Sequence, residues 1–294
     1  MPAESRAANA PEKAPKDEDA DTQRDPAGSI RVGIGGWTFE PWRGTFYPDK
    51  LPKTRELSYA ASRLTAIEIN GTFYRAQSRK SFAKWREETP EGFVFALKGH
   101  RAIAMKRKLA ETGESLAWFL DSGLAELGPK LGPILWQFAP SRAFDADDIA
   151  AFLKLLPREV EGLPLRHALE VRHQSFLCEA FLDLARRHGA AVVLADSPDY
   201  PALAADTADF AYWRLMRTQE EEESGYKPAD LDVWAARARC WAAGRPTPDM
   251  PGLVEAAGPA RAQDAGRDVF VFFIAGAKLR NPAAAKALMA RLQD

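Results

Sequence analysis

An α/β fold, a single-domain (β/α)8 barrel of the TIM type with a reduced sixth helix, is what this sequence predicts. Three observations lead there. Eight short apolar stretches of strand character recur along the chain, and seven or so helical stretches separate them. The alternation spans about 265 residues, close to the length of roughly 250 usual for this barrel. The first strand ends GIGGW, where a doubly wound open sheet would normally carry a G-x-G-x-x-G phosphate turn.

The elements follow in order. IRVGIGGW (30–37) is the first strand, and Leu57, Ala60, Ala61 and Leu64 then share one helical stripe. TAIEIN (65–70) is the second strand, followed by a helix near 78–88 on which Phe82 and Trp85 face the same way. GFVFALKGH (92–100) leads to a helix bearing Leu116, Phe119, Leu120, Leu124 and Leu127. PILWQF (133–138) precedes a helix that Asp145 caps. HALEVR (167–172) precedes one that ends near His188, with Gly189 as its stop. AVVLAD (191–196) and FAYWRLM (210–216) are so close together that little or no helix fits between them. A tryptophan-bearing helix at about 230–243, the strand DVFVFFI (268–274) and a helix opened by Asn281-Pro282 complete the series. TQEEEESGYKP (218–228) reads as a top-side loop and Arg245 to Asp268 as a long bottom-side one.

Composition narrows the function classes. Lys and Arg number 40 against 41 Asp and Glu, so the field of a dedicated nucleic-acid binder is missing and such a partner is not expected. The longest strongly apolar run, Val269 to Ala277, is far short of the roughly 20 residues of a membrane span. Cys178 and Cys240 form no CxxC or Cys/His cluster, which argues against a disulfide framework and a structural zinc. Residues 1–28 are rich in Ala, Pro and charge, with no apolar secretory core. They read as a disordered tail, with 29–294 as the barrel domain of a cytoplasmic protein. The oligomeric state stays open.

Side chains alternate across a strand, so the face turned to the helices must be apolar and the inward set follows by default. Leu169 and Val171 outward turn Glu170 and Arg172 inward. Ile67 and Ile69 outward leave Glu68 and Asn70 inside, and Phe95 and Leu97 do the same for Lys98, with His100 and Arg101 just beyond. Gln137 follows from Ile134, Trp136 and Phe138; Asp196 from Val193 and Ala195; Arg214 from Trp213 and Leu215. Trp37 is inward by the same rule. The C-terminal ends of barrel strands form the catalytic face of this fold, so these groups outline an expected site.

The segments GGWTFEPWRGTFYP, EINGTFYR, FVFALKGHR, LGPILWQFAP, ALEVRHQSF and TADFAYWRLM, in this order, resemble the uncharacterised family catalogued as domain of unknown function 72, also called YecE-like. The resemblance covers about residues 30–290; it implies a TIM-type barrel and brings no agreed activity. The family often has a histidine where this chain has Met216, and an Asn-Asp-rich end to the eighth strand where this chain has IAGAKLRNP (274–282). Where those groups take part in chemistry, the departures imply a different substrate.

The residues suggest acid/base chemistry by Glu68, Lys98, Glu170 and Asp196 on a small anionic substrate. Arg172 and Arg214 would hold its phosphate or carboxylate in a fork, with Trp37, Asn70, Tyr74, His100, Arg101 and Gln137 lining the site and Phe73 adding to an apolar wall. The expected enzyme is a metal-independent hydrolase or lyase with no cofactor. Two alternatives stand beside it: a divalent-metal hydrolase or isomerase using Glu170, Asp196, Glu68 and His100, and a ligand-binding barrel without turnover. A layer of structural salt bridges is the bland competitor, and Lys98 in particular is as readily a counter-ion of Glu68 or Glu170.

Overall fold

The computed structural model describes residues 28–245, 247, 249–252, 254 and 266–293. The tail read for residues 1–28 lies outside them except for Gly28, whose amide donates to the Ala242 carbonyl. Much of the bottom-side segment between Arg245 and Asp268 lies outside them too.

Eight parallel strands close into one barrel: β1 (Ile30–Gly35), β2 (Ala66–Ile69), β3 (Val94–Lys98), β4 (Leu131–Gln137), β5 (His167–Glu170), β6 (Ala191–Asp196), β7 (Phe210–Leu215) and β8 (Asp268–Phe273). β1 closes the ring by pairing with β8 as well as β2. A two-stranded ribbon at Glu159–Val160 and Leu163–Pro164, absent from the sequence reading, precedes β5.

Around the barrel lie α1 (Glu56–Ala61), α2 (Gly71–Tyr74), α3 (Arg79–Glu87), α4 (Arg101–Ala104), α5 (Gly113–Leu120), α6 (Ala146–Leu155), α7 (Glu179–His188), α8 (Pro228–Ala242) and α9 (Asn281–Gln293). Ser78 caps α3 by accepting from the Ser81 amide, and Asp145 caps α6 by accepting from Asp147 and Asp148. Each satisfies amides that the first helical turn leaves without partners. Gly189 ends α7 at φ +64°, where a side chain would be strained. Residues 197–209, between β6 and β7, form no helix. α2 and α4, single turns directly after β2 and β3, escaped the sequence reading because four residues are too few to show a helical period.

Two apolar layers hold the fold. The larger lies between strands and helices and includes Ile67, Phe95, Trp136, Leu169, Leu194 and Trp213. The smaller fills the barrel itself, with Ala66, Ala96, Leu135, Ala168, Val193, Tyr212, Phe270 and Phe272. Arg166 lies over the rings of Phe210 and Phe270 and pairs with Asp268 at 2.6 Å, at the N-terminal end of the interior. The lower barrel is therefore packed core, and the polar residues gather at the other end. No helix among the described residues is long and apolar enough to cross a membrane.

Candidate functional site at the C-terminal end of the barrel

Parity within the strands brings six of the expected residues toward one centre. Glu68 sits opposite Gly35 and Ala96, Gln137 opposite Glu170, and Ala195 opposite Arg214. The small neighbours matter, because long charged side chains need room inside a ring of eight strands. A Cβ on Gly35 would come within 2.8 Å of the Asn70 amide, so Asn70 lies against that backbone.

Arg214 is the hub. Its Nε and Nη2 donate to Glu68 at 3.1 and 3.0 Å, and its Nη1 donates to Glu170. Glu170 also accepts from Gln137 at 2.9 Å and from Nε of Arg172 at 2.7 Å. Both carboxylates are fully buried and Arg214 is 2% exposed. Burial pushes the Glu170 carboxyl up, but the Arg214 and Arg172 guanidiniums outweigh it and hold the group below the ordinary range. Burial likewise opposes the charge on Arg214, and Glu170 and Glu68 more than restore it.

Tyr212, two residues before Arg214 on the same face of β7, donates to Glu68 at 2.8 Å. Sequence reasoning missed it, although its parity is that of Arg214. Tyr200 was missed as well: its ring lies 4.1 Å beneath the Arg172 guanidinium, and its hydroxyl is 3.3 Å from Nη1. It comes from the β6–β7 loop, where no periodicity marks direction.

Lys98 differs from its neighbours. Its side chain enters the same centre, yet among the described residues its ammonium has no hydrogen bond or ion pair, and it lies 4.3 Å from the Phe73 ring centroid. Burial, reinforced by Arg214, lowers its pKa to about 8, with Glu68 and Glu170 only partly compensating. Its proton is therefore held less firmly than that of an ordinary lysine.

Two expectations are corrected. Asp196 does not join the centre. Val193 faces the barrel interior, whereas Val192 and Leu194 pack toward the helices, and Asp196 shares their parity. It accepts from Arg217 at 2.8 Å and from the Tyr226 hydroxyl at 3.0 Å, on the outer side of β6. AVVLAD is apolar on both parities, so alternation carried no information there. Trp37 is not inward either. Gly36 takes φ +70°, which breaks the alternation, and Trp37 packs on Trp85 and Phe95 at 5.2 and 6.4 Å in the helix-side layer.

The remaining expected residues form a rim. His100 caps α4 by accepting from the Ala102 amide and lies 4.9 Å from the Trp118 ring. Tyr74 and Arg101 are exposed. The four residues of the metal alternative are not brought together: Asp196 faces outward and both glutamates are held by Arg214. No group of three or more His, Cys, Asp or Glu among the described residues is arranged to hold a metal ion. At the opposite end a cavity of about 270 Å³ is lined by Leu156, Arg158, His167, His188 and Asp209. His167 there is already engaged by Trp136 and the Pro157 carbonyl.

Comparison with known proteins agrees with this architecture. The family model described as "Protein of unknown function DUF72" matches residues 31–294. The chain belongs to the DUF72 family. It is 26% identical over 159 residues to the UPF0759 protein YunF of Bacillus subtilis, covering 52% of this chain and 54% of that one. It is also 26% identical over 153 residues to the UPF0759 protein YecE of Escherichia coli K12, covering 51% of each. The chain thus spans about half the length of the curated relatives it matches. A DUF72 family protein from Thermotoga maritima superposes with a TM-score of 0.66 at 23% identity, over 90% of this chain and all of that one. One from Enterococcus faecalis does so at 0.65 and 18%, over 90% and 96%. These DUF72 structures share the fold, and the chemistry has to be argued from the side chains.

Proposed function

We propose that this chain is an enzyme acting on a small anionic substrate at the C-terminal face of its barrel, by hydrolysis or a lyase-type cleavage, with Lys98 exchanging the proton. The contrast between Lys98 and its neighbours carries this reading. Glu68 and Glu170 are both engaged by Arg214, and the Glu170 carboxyl is held below its ordinary range, which suits this pair to holding charge more than to relaying protons. Lys98, buried and held by no ion pair among the described residues, has a pKa near 8. A group poised there, mostly protonated at neutral pH, can bind an anion, give its proton to the leaving group and then take one back from an attacking water or a substrate carbon.

Charge favours an anion. Lys98, Arg172 and Arg214 set three positive groups against the two carboxylates, leaving one positive charge in surplus. Arg172 is less buried than Arg214, and its Nη1 has only the long contact to Tyr200, so it is suited to receive a carboxylate or phosphate. A divalent metal fits less well, because both carboxylates would have to give up Arg214 while three cations faced the ion. Unpaired Cys178 and Cys240 accord with a reducing, cytoplasmic setting.

The test is a thermal-shift screen of carboxylated and phosphorylated metabolites on wild type and Lys98→Met, followed by product analysis for each hit. Anions that stabilise wild type, lose that effect in Lys98→Met and are converted by wild type alone support the reading. Ligands that bind without being converted point to a binding barrel. Stabilisation by a divalent metal at stoichiometric affinity overturns the metal-independent mechanism.

A further inference from the structure

We propose that the site continues outward from Lys98 over the β2 and β3 loops, and that its ligand is a small aromatic anion whose ring stacks on Tyr74 and Trp118. This rests on the anion reading of the barrel centre and specifies the rest of the molecule bound there. A continuous series of contacts leads outward. The Lys98 ammonium lies 4.3 Å from the Phe73 ring, and Phe73 meets Tyr74 edge to face at 5.0 Å. His100 is hydrogen-bonded to the Tyr74 backbone and touches Trp118 at 4.9 Å. Cation, aromatic ring and aromatic rim therefore occupy one sector of the barrel mouth.

Exposure separates these rings from ordinary packing. Tyr74 is 65% and Trp118 49% exposed, and they are the two aromatic side chains among the exposed large hydrophobics of the described residues. The other rings of the chain that are named above lie in buried or half-buried layers. The Trp118 ring and the Tyr74 backbone both meet the same histidine, which is itself fixed by its cap to Ala102. Tyrosine and tryptophan left open beside a site are well suited to stacking on a flat ligand, because their large faces carry little conformational freedom to lose. The cation beyond Phe73 would then receive the acidic group of the same molecule.

The experiment compares matched anions by ligand-observed NMR titration. Benzoate and phenyl phosphate are set against cyclohexanecarboxylate and cyclohexyl phosphate on wild type, Tyr74→Ala, Trp118→Leu and Lys98→Met. The expected result is an aromatic preference of about tenfold in wild type, with each rim substitution removing roughly 3- to 10-fold of it and leaving the saturated anions unaffected. Lys98→Met should weaken all four alike. Melting curves confirm folding, since both rim side chains are substantially exposed. Equal affinity for ring and saturated anions, or a preference that survives both rim substitutions, overturns the extension and leaves the anion centre standing. If none of the four binds wild type, the anion centre falls and the extension with it. A single-stranded oligonucleotide that displaces phenyl phosphate and binds more tightly also overturns it.

Discussion

Two carboxylate–arginine arrangements stand at the C-terminal ends of neighbouring strands, and they behave in opposite ways. At the barrel centre, Glu68 and Glu170 share Arg214 with all three buried. On the outer side of β6, Asp196 meets Arg217, whose side chain is 49% exposed. Around Glu170 two guanidiniums outweigh burial and hold the carboxyl low. Around Asp196 burial dominates and the carboxyl is pushed up, since the Tyr226 hydroxyl and the solvated Arg217 compensate only in part. The lesson is that burial raises a carboxyl unless its cationic partners are numerous and buried enough to outweigh it, as two guanidiniums do for Glu170 and one solvated guanidinium does not for Asp196.

The sharpest way to break this comparison is Arg214→Met. It strands two buried carboxylates, and removing one member of a buried pair already costs about 3–5 kcal/mol, so the loss should reach or exceed the upper end of that range. Urea denaturation measures it, and a loss below about 2 kcal/mol would mean that the centre is not electrostatically coupled. Adding Glu68→Gln and Glu170→Gln to that background should recover part of the stability.

Next in size is Glu170→Gln, expected to cost about 3–5 kcal/mol because Arg214 and Arg172 both lose their acceptor. The pH dependence has a definite sign. The folded pKa of Glu170 is depressed, so its stabilisation is fully present above the ordinary glutamate range and is lost as pH falls through the folded value. Wild type should therefore lose stability on acidification more steeply than Glu170→Gln does.

Lys98→Met should move stability the other way. The lysine pKa falls from 10.5 to about 8 on folding, so the folded chain binds fewer protons than the unfolded one between those values, and the buried charge is a cost below them. Replacing it should stabilise by up to about 3 kcal/mol near pH 7, with the gain fading as pH rises through 8 toward 10.5. Stabilisation with loss of ligand response is the behaviour of a group kept for function against stability. Asp196→Asn should do least, less than about 1 kcal/mol at neutral pH, because its arginine partner is solvated and screened. A loss as large as that of Glu170→Gln would erase the distinction between the two regions.

Much of the centre was legible in the sequence. Glu68, Lys98, Gln137, Glu170, Arg172 and Arg214 each alternate with residues that could only face the helices, so their direction followed from the strand period. Where that contrast fails, so does the reading. AVVLAD offers apolar residues on both faces, and the interior takes the small members, Ala191, Val193 and Ala195, which leaves Asp196 outside. Trp37 follows a glycine at positive φ, which no alternation rule anticipates. Tyr200 lies in a loop, where direction depends on the path of the chain and not on a repeat.

The sequence by itself determined the rhythm of strands and helices and the parity of most polar strand residues, because both are local properties of a chain with a fixed backbone period. Only the tertiary structure decided which charges meet. Glu68 and Arg214 are 146 residues apart and Glu170 and Arg214 are 44 apart, and barrel closure brings them within hydrogen-bond reach. The lowered Lys98 pKa was likewise undecidable from sequence, since desolvation and Coulomb interaction sum over neighbours contributed by β2, β3, β5 and β7 together.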